Sequence, residues 1–197
     1  MEVVTKAQTQ HEVALHGVTH VPWSSMDEEF VQSELALFSA LKGPIRESRT
    51  FVFPRNLVAH EQMLRTFGFL GYRASLAKRS RAASLAAEFD LSVQPDDVRR
   101  GDGLIVIPAG FFLNWRSGLR RLVPPAITLQ RARVLLDRAE RSARVVHLWL
   151  HPENVATAPD TFHLLRRLID EVARRRDAGR CAVLTQVDYC QWVRSLA

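Results

Sequence analysis

The chain has 197 residues, 47% of them hydrophobic and 24% charged, which is typical of a soluble globular protein and unlike a disordered one. No apolar run approaches the ~20 residues that span a bilayer, and no signal-peptide pattern opens the sequence, so we expect a cytoplasmic protein without a membrane partner. The net charge of +6 comes mostly from arginines scattered over several segments, which argues against a nucleic-acid partner.

Short apolar segments alternate with amphipathic segments along the chain, a pattern that predicts an α/β fold with parallel strands. The segment 145–150 is almost continuously apolar, as expected for a strand that is covered on both faces. The predicted strands are 12–15, 50–53, 69–73, 104–107, 145–150 and 182–185.

Four helices are predicted between and after these strands. Ser25 opens the first, in a capping-box pattern that continues to about residue 41. Pro125 suits the first turn of a helix to about residue 142, and a further helix covers 161–176 with Leu165, Leu168, Ile169 and Val172 as its buried stripe. A short helix is predicted over 187–196, and 74–102 is predicted as a long insertion or loop.

A helix-and-strand repeat of roughly 30 residues gives about six βα units, one or two fewer than a complete (β/α) barrel. The sequence therefore predicts an incomplete barrel in a single domain covering 1–197.

His16 and His20 form the first candidate site, because two imidazoles four residues apart can bind one divalent metal. They follow the first predicted strand, and ligands of parallel α/β folds gather at the carboxyl ends of strands. Glu12 is excluded as a third ligand, since four strand residues span about 13 Å. The alternative is a pair of surface histidines.

The cysteines Cys181 and Cys190 match no zinc motif.

Two polar turns that follow later strands are further candidates. Pro54, Arg55 and Asn56 come after the second predicted strand, and a solvated arginine at a strand exit is the alternative interpretation. His151 and Asn154 follow the most apolar strand, where a barrel enzyme would place a catalytic group; a turn leading into a helix is the alternative.

The order of these segments resembles that of the polysaccharide deacetylase family, which shares the NodB homology domain. The run 11–20 is similar to the family's H-x-x-x-H motif, Pro54 and its neighbours to its proline-containing third motif, and Leu150-His151-Pro152 to its fifth motif. A subset of the family associated with surface-polysaccharide synthesis is similar also in Gly71-Tyr72-Arg73. The resemblance extends from about residue 11 to 185.

The resemblance implies a metal-dependent hydrolase that removes N-acetyl or other acyl groups from a polysaccharide or glycan. His16 and His20 would bind the divalent metal, typically Zn²⁺, and His151 would be the general acid that protonates the departing amine. Pro54, Arg55, Asn56 and Asn154 would contact the substrate.

The sequence departs from the family pattern at three positions. The first motif, with its aspartate base and aspartate ligand, is absent, so we expect an N-terminally truncated domain that lacks the first barrel unit and holds zinc weakly. Val52 stands where the third motif has an arginine, and Asp102 is a candidate for the aspartate that orients the catalytic histidine.

These departures lead to two further expectations. An unpaired sheet edge beside 12–15 predicts self-association. The alternative function is a catalytically impaired, carbohydrate-binding module that uses Trp23, Trp115 and Trp149 but no metal.

Overall fold

A computed structural model describes residues 11–43, 45–100 and 103–196. The chain divides into two compact units that alternate along the sequence. The first unit consists of Met1–Leu76, Val98–Ala109 and Leu184–Ala197, and the second of Ala77–Asp97 and Gly110–Val183. The assignment of 1–197 to a single domain stays a prediction.

Helices and short strands alternate in both units. The helices are α1 (Glu28–Ala40), α2 (Gln62–Thr66), α3 (Arg81–Ala86), α4 (Pro125–Ser142), α5 (Pro152–Thr157), α6 (Pro159–Asp177) and α7 (Gln186–Ser195). The strands are β1 (Thr50–Phe51), β2 (Gly71–Arg73), β3 (Arg99–Arg100), β4 (Ile105–Ile107), β5 (Phe111–Phe112) and β6 (Leu148–Trp149).

The first unit is built on a four-stranded sheet in the order β1-β2-β4-β3. The strands β1, β2 and β4 are parallel, and β3 runs antiparallel to β4. The predicted first strand is reduced to one parallel bridge, between Leu15 and Phe51. The Leu15 N–H donates to the Thr50 carbonyl at 3.0 Å, and the Leu15 carbonyl accepts from Val52 N–H at 2.8 Å.

An aromatic and aliphatic core fills the space between this sheet and α1. Trp23, Phe51 and Phe53 are fully or almost fully buried, with ring centroids 4.6–5.4 Å apart. The helix α1 adds Val31 and Leu35 from its apolar stripe. Burial of these large rings removes much apolar surface from water and so stabilises the first unit.

The second unit joins a two-stranded parallel sheet to long helices. Phe111 pairs with Leu148, and Phe112 with Trp149, in the register of β5 with β6. The helices α4 and α6 pack on each other and are linked through the buried Arg175, which pairs with Asp137, Glu140 and Glu171. This ion cluster leaves the guanidinium of Arg175 well satisfied, as burial of a cation requires.

The predicted buried stripe of α6 is wrong in part. Thr161, Leu164 and Leu168 are the buried residues of its apolar face, whereas Ile169 is 56% exposed. The face is rotated because α6 packs against α4, which brings Arg175 into the interface. Leu165, Ile169 and Val172 line an apolar cavity of about 280 Å³ instead.

The structure is a mixed helix-and-sheet fold with few, short parallel strands, which confirms the predicted fold class in part. The described residues form no closed barrel, and the incomplete barrel stays a prediction. The segment 182–185 contains no strand, and β6 covers only part of 145–150. No helix in the described part of the chain is long and apolar enough to cross a membrane.

Candidate functional site

The two imidazoles of His16 and His20 face each other directly. Their Nε2 atoms are 3.2 Å apart, and the ring planes cross at 69°. The Nδ1 of His16 lies 2.6 Å from the Val52 carbonyl oxygen, which can only accept, so Nδ1 carries the proton. In the neutral imidazole this arrangement directs the Nε2 lone pair of His16 toward His20.

Glu34 holds the turn that carries both histidines. One carboxylate oxygen accepts hydrogen bonds from Val18 N–H, Thr19 N–H and the Thr19 hydroxyl at 3.2, 2.8 and 2.6 Å. The other accepts from the Trp23 indole N–H at 2.7 Å. Burial raises the pKa of Glu34, but these hydrogen bonds outweigh it and hold the pKa below its usual value. Glu34 is therefore an ionised, buried positioning residue.

Gly17 brings the histidine turn against Pro54. Its φ of +80° lies in the left-handed region, and a Cβ at this position would come within 3.2 Å of the Pro54 ring. Only glycine combines this φ with such a close approach. His20 also has a positive φ, of 60°, which is uncommon for a residue with a side chain.

The turn after β1 continues this strained backbone. Arg55 and Asn56 have φ values of 55° and 56°, so two successive residues with side chains adopt left-handed conformations. Such conformations cost energy and are concentrated at functional sites. Asn56 accepts a hydrogen bond from the guanidinium of Arg73, at the end of β2, whereas Arg55 is exposed. Burial lowers the pKa of Arg73 to about 10.

The histidine pair fits two coordination positions of a metal ion. Two nitrogens at about 2.0–2.1 Å from a tetrahedral zinc lie about 3.3–3.4 Å apart, close to the 3.2 Å between these Nε2 atoms. The hydrogen bond from His16 to the Val52 carbonyl is the kind of outer partner that orients a ligating imidazole. Within the described residues, no group of three or more His, Cys, Asp or Glu residues completes the site.

His151 lies in the second unit, within an aromatic cluster formed by Phe112, Trp115, Trp149 and His151. Its imidazole stacks on Trp115 with centroids 5.3 Å apart and planes inclined by 17°. Phe112 and Trp149 contact the same imidazole edge-on, at 5.6 and 5.5 Å. Aromatic packing thus orients the ring of His151. The predicted orienting residue, Asp102, lies outside the described residues.

Asn154 fixes the turn that follows His151. It is fully buried, and its side-chain amide donates to the Leu113 carbonyl beyond β5. Its backbone N–H donates to the His151 carbonyl at 2.9 Å. These contacts suit a residue that positions the turn, and its direct contact with substrate stays a prediction.

The structure thus groups His16, His20, Pro54, Arg55 and Asn56 in the first unit and His151 and Asn154 in the second. Sequence reasoning missed Glu34 and the contact of Arg73 with Asn56. An acidic residue inside the apolar stripe Val31, Leu35 and Phe38 of α1 was the signal for Glu34. Trp23 is fully buried and is no candidate for a sugar platform, whereas Trp115 is 37% exposed.

No family model matches the chain, and no curated protein matches it either.

Proposed function

We propose that this protein is a metal-dependent hydrolase that removes N-acetyl or related acyl groups from a glycan. The observation that carries the proposal is the Nε2 separation of 3.2 Å between His16 and His20, with Nδ1 of His16 fixed on a backbone carbonyl. Glu34 holds the histidine turn from behind, so the two rings are positioned before any ion arrives. Such preorganisation favours ligand function over a chance surface pair.

The proposed roles are those that the family resemblance implies, and the environment of each residue within its own unit is compatible with its role. His16 and His20 would hold a divalent ion, typically Zn²⁺, which supplies polarisation of the amide carbonyl and activation of water when bound. His151 would donate a proton to the nitrogen of the departing amine, with its ring held by the aromatic cluster. The strained turn at Arg55 and Asn56 would contact the glycan.

Among the described residues, no carboxylate completes a group of three possible metal ligands with the two histidines. We therefore expect weak zinc binding and low deacetylase activity from the chain alone, because catalytic zinc sites use three protein ligands.

Zinc titration calorimetry tests the metal site. We expect one zinc ion per chain for the unmodified protein and for His163→Ala, which removes an exposed histidine on α6. The double variant His16→Ala/His20→Ala should lose this binding. Zinc binding that survives the double substitution would place the ion elsewhere and remove the proposal's main support.

Acetate release from chitohexaose tests the reaction. His151→Gln should retain zinc but lose about 10²-fold or more of whatever zinc-dependent release the unmodified chain shows, because a general acid contributes about that factor. Equal release by the variant would exclude His151 as the proton donor.

A carbohydrate-binding module without catalysis is the second candidate, and the aromatic cluster favours it. Phe112 and Trp149 stack at 4.2 Å beside the partly exposed Trp115, which offers an aromatic face to a sugar ring. Oligosaccharide binding that is unchanged by a chelator, together with no acetate release at any zinc concentration, would favour this function.

A further inference from the structure

Arg116 is a buried cation without an acidic partner in the described part of the chain. The residue is only 9% exposed to solvent. One of its guanidinium nitrogens, Nη2, donates to the Val123 carbonyl at 2.6 Å, and no carboxylate of the described residues pairs with it. A guanidinium has five N–H donors, so most of its hydrogen-bonding capacity is left for another group.

Other buried or half-buried arginines of the second unit show that this situation is unusual. Arg175 pairs with three carboxylates. Arg131 and Arg120 both pair with Glu88, at 2.9 and 3.3 Å. Withdrawing a charge from water is unfavourable unless a counter-charge compensates, and no carboxylate of the described residues pairs with Arg116. The remaining N–H groups of Arg116 are not among the buried atoms that lack a partner, so they reach solvent, where an acidic ligand can pair with them.

Arg116 lines a shallow recess of about 10 Å³ on the surface of the second unit, which has room for about one water-sized group, such as a ligand oxygen, and not for a sugar ring. Other lining residues are Glu88, Asn114, Trp115, Arg120 and Thr128. The oxygens of Glu88 are occupied by Asn114, Arg120 and Arg131, so this carboxylate is not available to Arg116. Two guanidinium groups and one carboxylate thus line the recess, which leaves it positive.

An aromatic surface borders the same recess. Trp115, directly before Arg116 in sequence, is 37% exposed, and its indole stacks on His151. A partly exposed indole beside a buried guanidinium matches a pyranose ring that carries an acidic group. The ring packs on the aromatic face, and the acid pairs with the cation.

We propose that Trp115 and Arg116 form a binding site for a uronic acid unit, which makes the glycan substrate an acidic polysaccharide. A carboxylate fits the planar, bidentate geometry of a guanidinium and is smaller than a sulfate or phosphate group. The proposal rests on the proposed glycan function for the identity of the ligand, but the site itself lies wholly within the second unit.

Calorimetric binding of two hexasaccharides tests the proposal. Hyaluronan hexasaccharide alternates glucuronate with N-acetylglucosamine, whereas chitohexaose has the acetamido groups without the acids. We expect the hyaluronan fragment to bind about tenfold or more tightly, since a hydrogen bond to a charged group contributes on that scale. Equal affinities would overturn the proposal.

Two substitutions locate the effect. Arg116→Gln should abolish the preference for hyaluronan, and Arg121→Gln, which removes an exposed arginine of the same segment, should preserve it. Loss of the preference in both variants would indicate diffuse attraction by surface charge and would contradict a built site. Stronger binding of 6-O-sulfated chitohexaose than of hyaluronan would overturn the assignment to a carboxylate.

Arg116→Met separates a binding role from a structural one. This variant keeps most of the length of the side chain and removes its charge, so we expect an unchanged or higher Tm together with loss of the hyaluronan preference. A clear fall in Tm, with no hyaluronan preference in the unmodified protein, would show that Arg116 only supports the fold. Because binding needs no zinc, hyaluronan binding without acetate release would leave this proposal standing while the deacetylase proposal fails.

Discussion

Glu34 shows how one buried side chain can define a functional turn. It is 2% exposed and accepts four hydrogen bonds from residues of the segment 18–23, which joins the histidine turn to α1. A neutral aliphatic residue would suit the stripe of α1 but would leave those donors without partners. The carboxylate therefore connects the core of the first unit to the geometry of His16 and His20.

Glu34→Gln is expected to destabilise the protein by about 2 kcal/mol or more, because an amide NH₂ would oppose one of the donors and the charge is lost. The free energy of unfolding in urea measures this effect. Glu29→Gln, an exposed change on the same helix, should have little effect. Because the Trp23 indole donates to Glu34, Trp23→Phe should lower the free energy of unfolding less in the Glu34→Gln variant than in the unmodified protein.

Helices were predicted well where the amphipathic pattern was long. The bounds of α4 agree with the prediction, and those of α6 and α7 differ by one or two residues. The short helices α2, α3 and α5 were missed, because five or six residues carry too little periodicity to stand out. Strands were predicted longer than they are, since pairing depends on neighbours that a local pattern does not contain.

The start of α1 provides a test at the scale of one element. Asp27, and not the predicted Ser25, is the N-cap, and its carboxylate accepts from Phe30 N–H at 2.8 Å. Asp27→Ala should therefore cost about 1 kcal/mol in urea denaturation, whereas Ser25→Ala should be nearly neutral. A larger loss for Ser25→Ala would restore the predicted capping box.

At the scale of the whole molecule, self-association stays a prediction. The sheet indicates which backbone groups would form the contact between two chains. The backbone of Leu15 faces β1, so Ala14 presents its N–H and carbonyl to the opposite side, where no described residue pairs with them. An edge of this kind can pair with a second chain.

Sedimentation velocity tests whether this edge is used. We expect the unmodified protein to form larger species as its concentration rises, and Ala14→Pro, which removes the N–H on the outer side, to stay monomeric. The control is Ala36→Ser, a change on the exposed face of α1, which should behave like the unmodified protein. A proline at this position is unsuitable because it would break α1. Concentration-independent monomers of the unmodified chain would contradict the prediction.

By itself the sequence determined the α/β class, the long helices and the pairing of His16 with His20, because these depend on periodicity and spacing within short windows. Only the tertiary structure decided that Glu34 supports the histidine turn, that Gly17 packs on Pro54, and that Arg116 is buried with no carboxylate of the described residues paired to it. These contacts join residues distant in sequence, or depend on where a side chain meets solvent. A local pattern can show that Glu34 lies in a buried stripe, but it does not show which distant residues a side chain contacts.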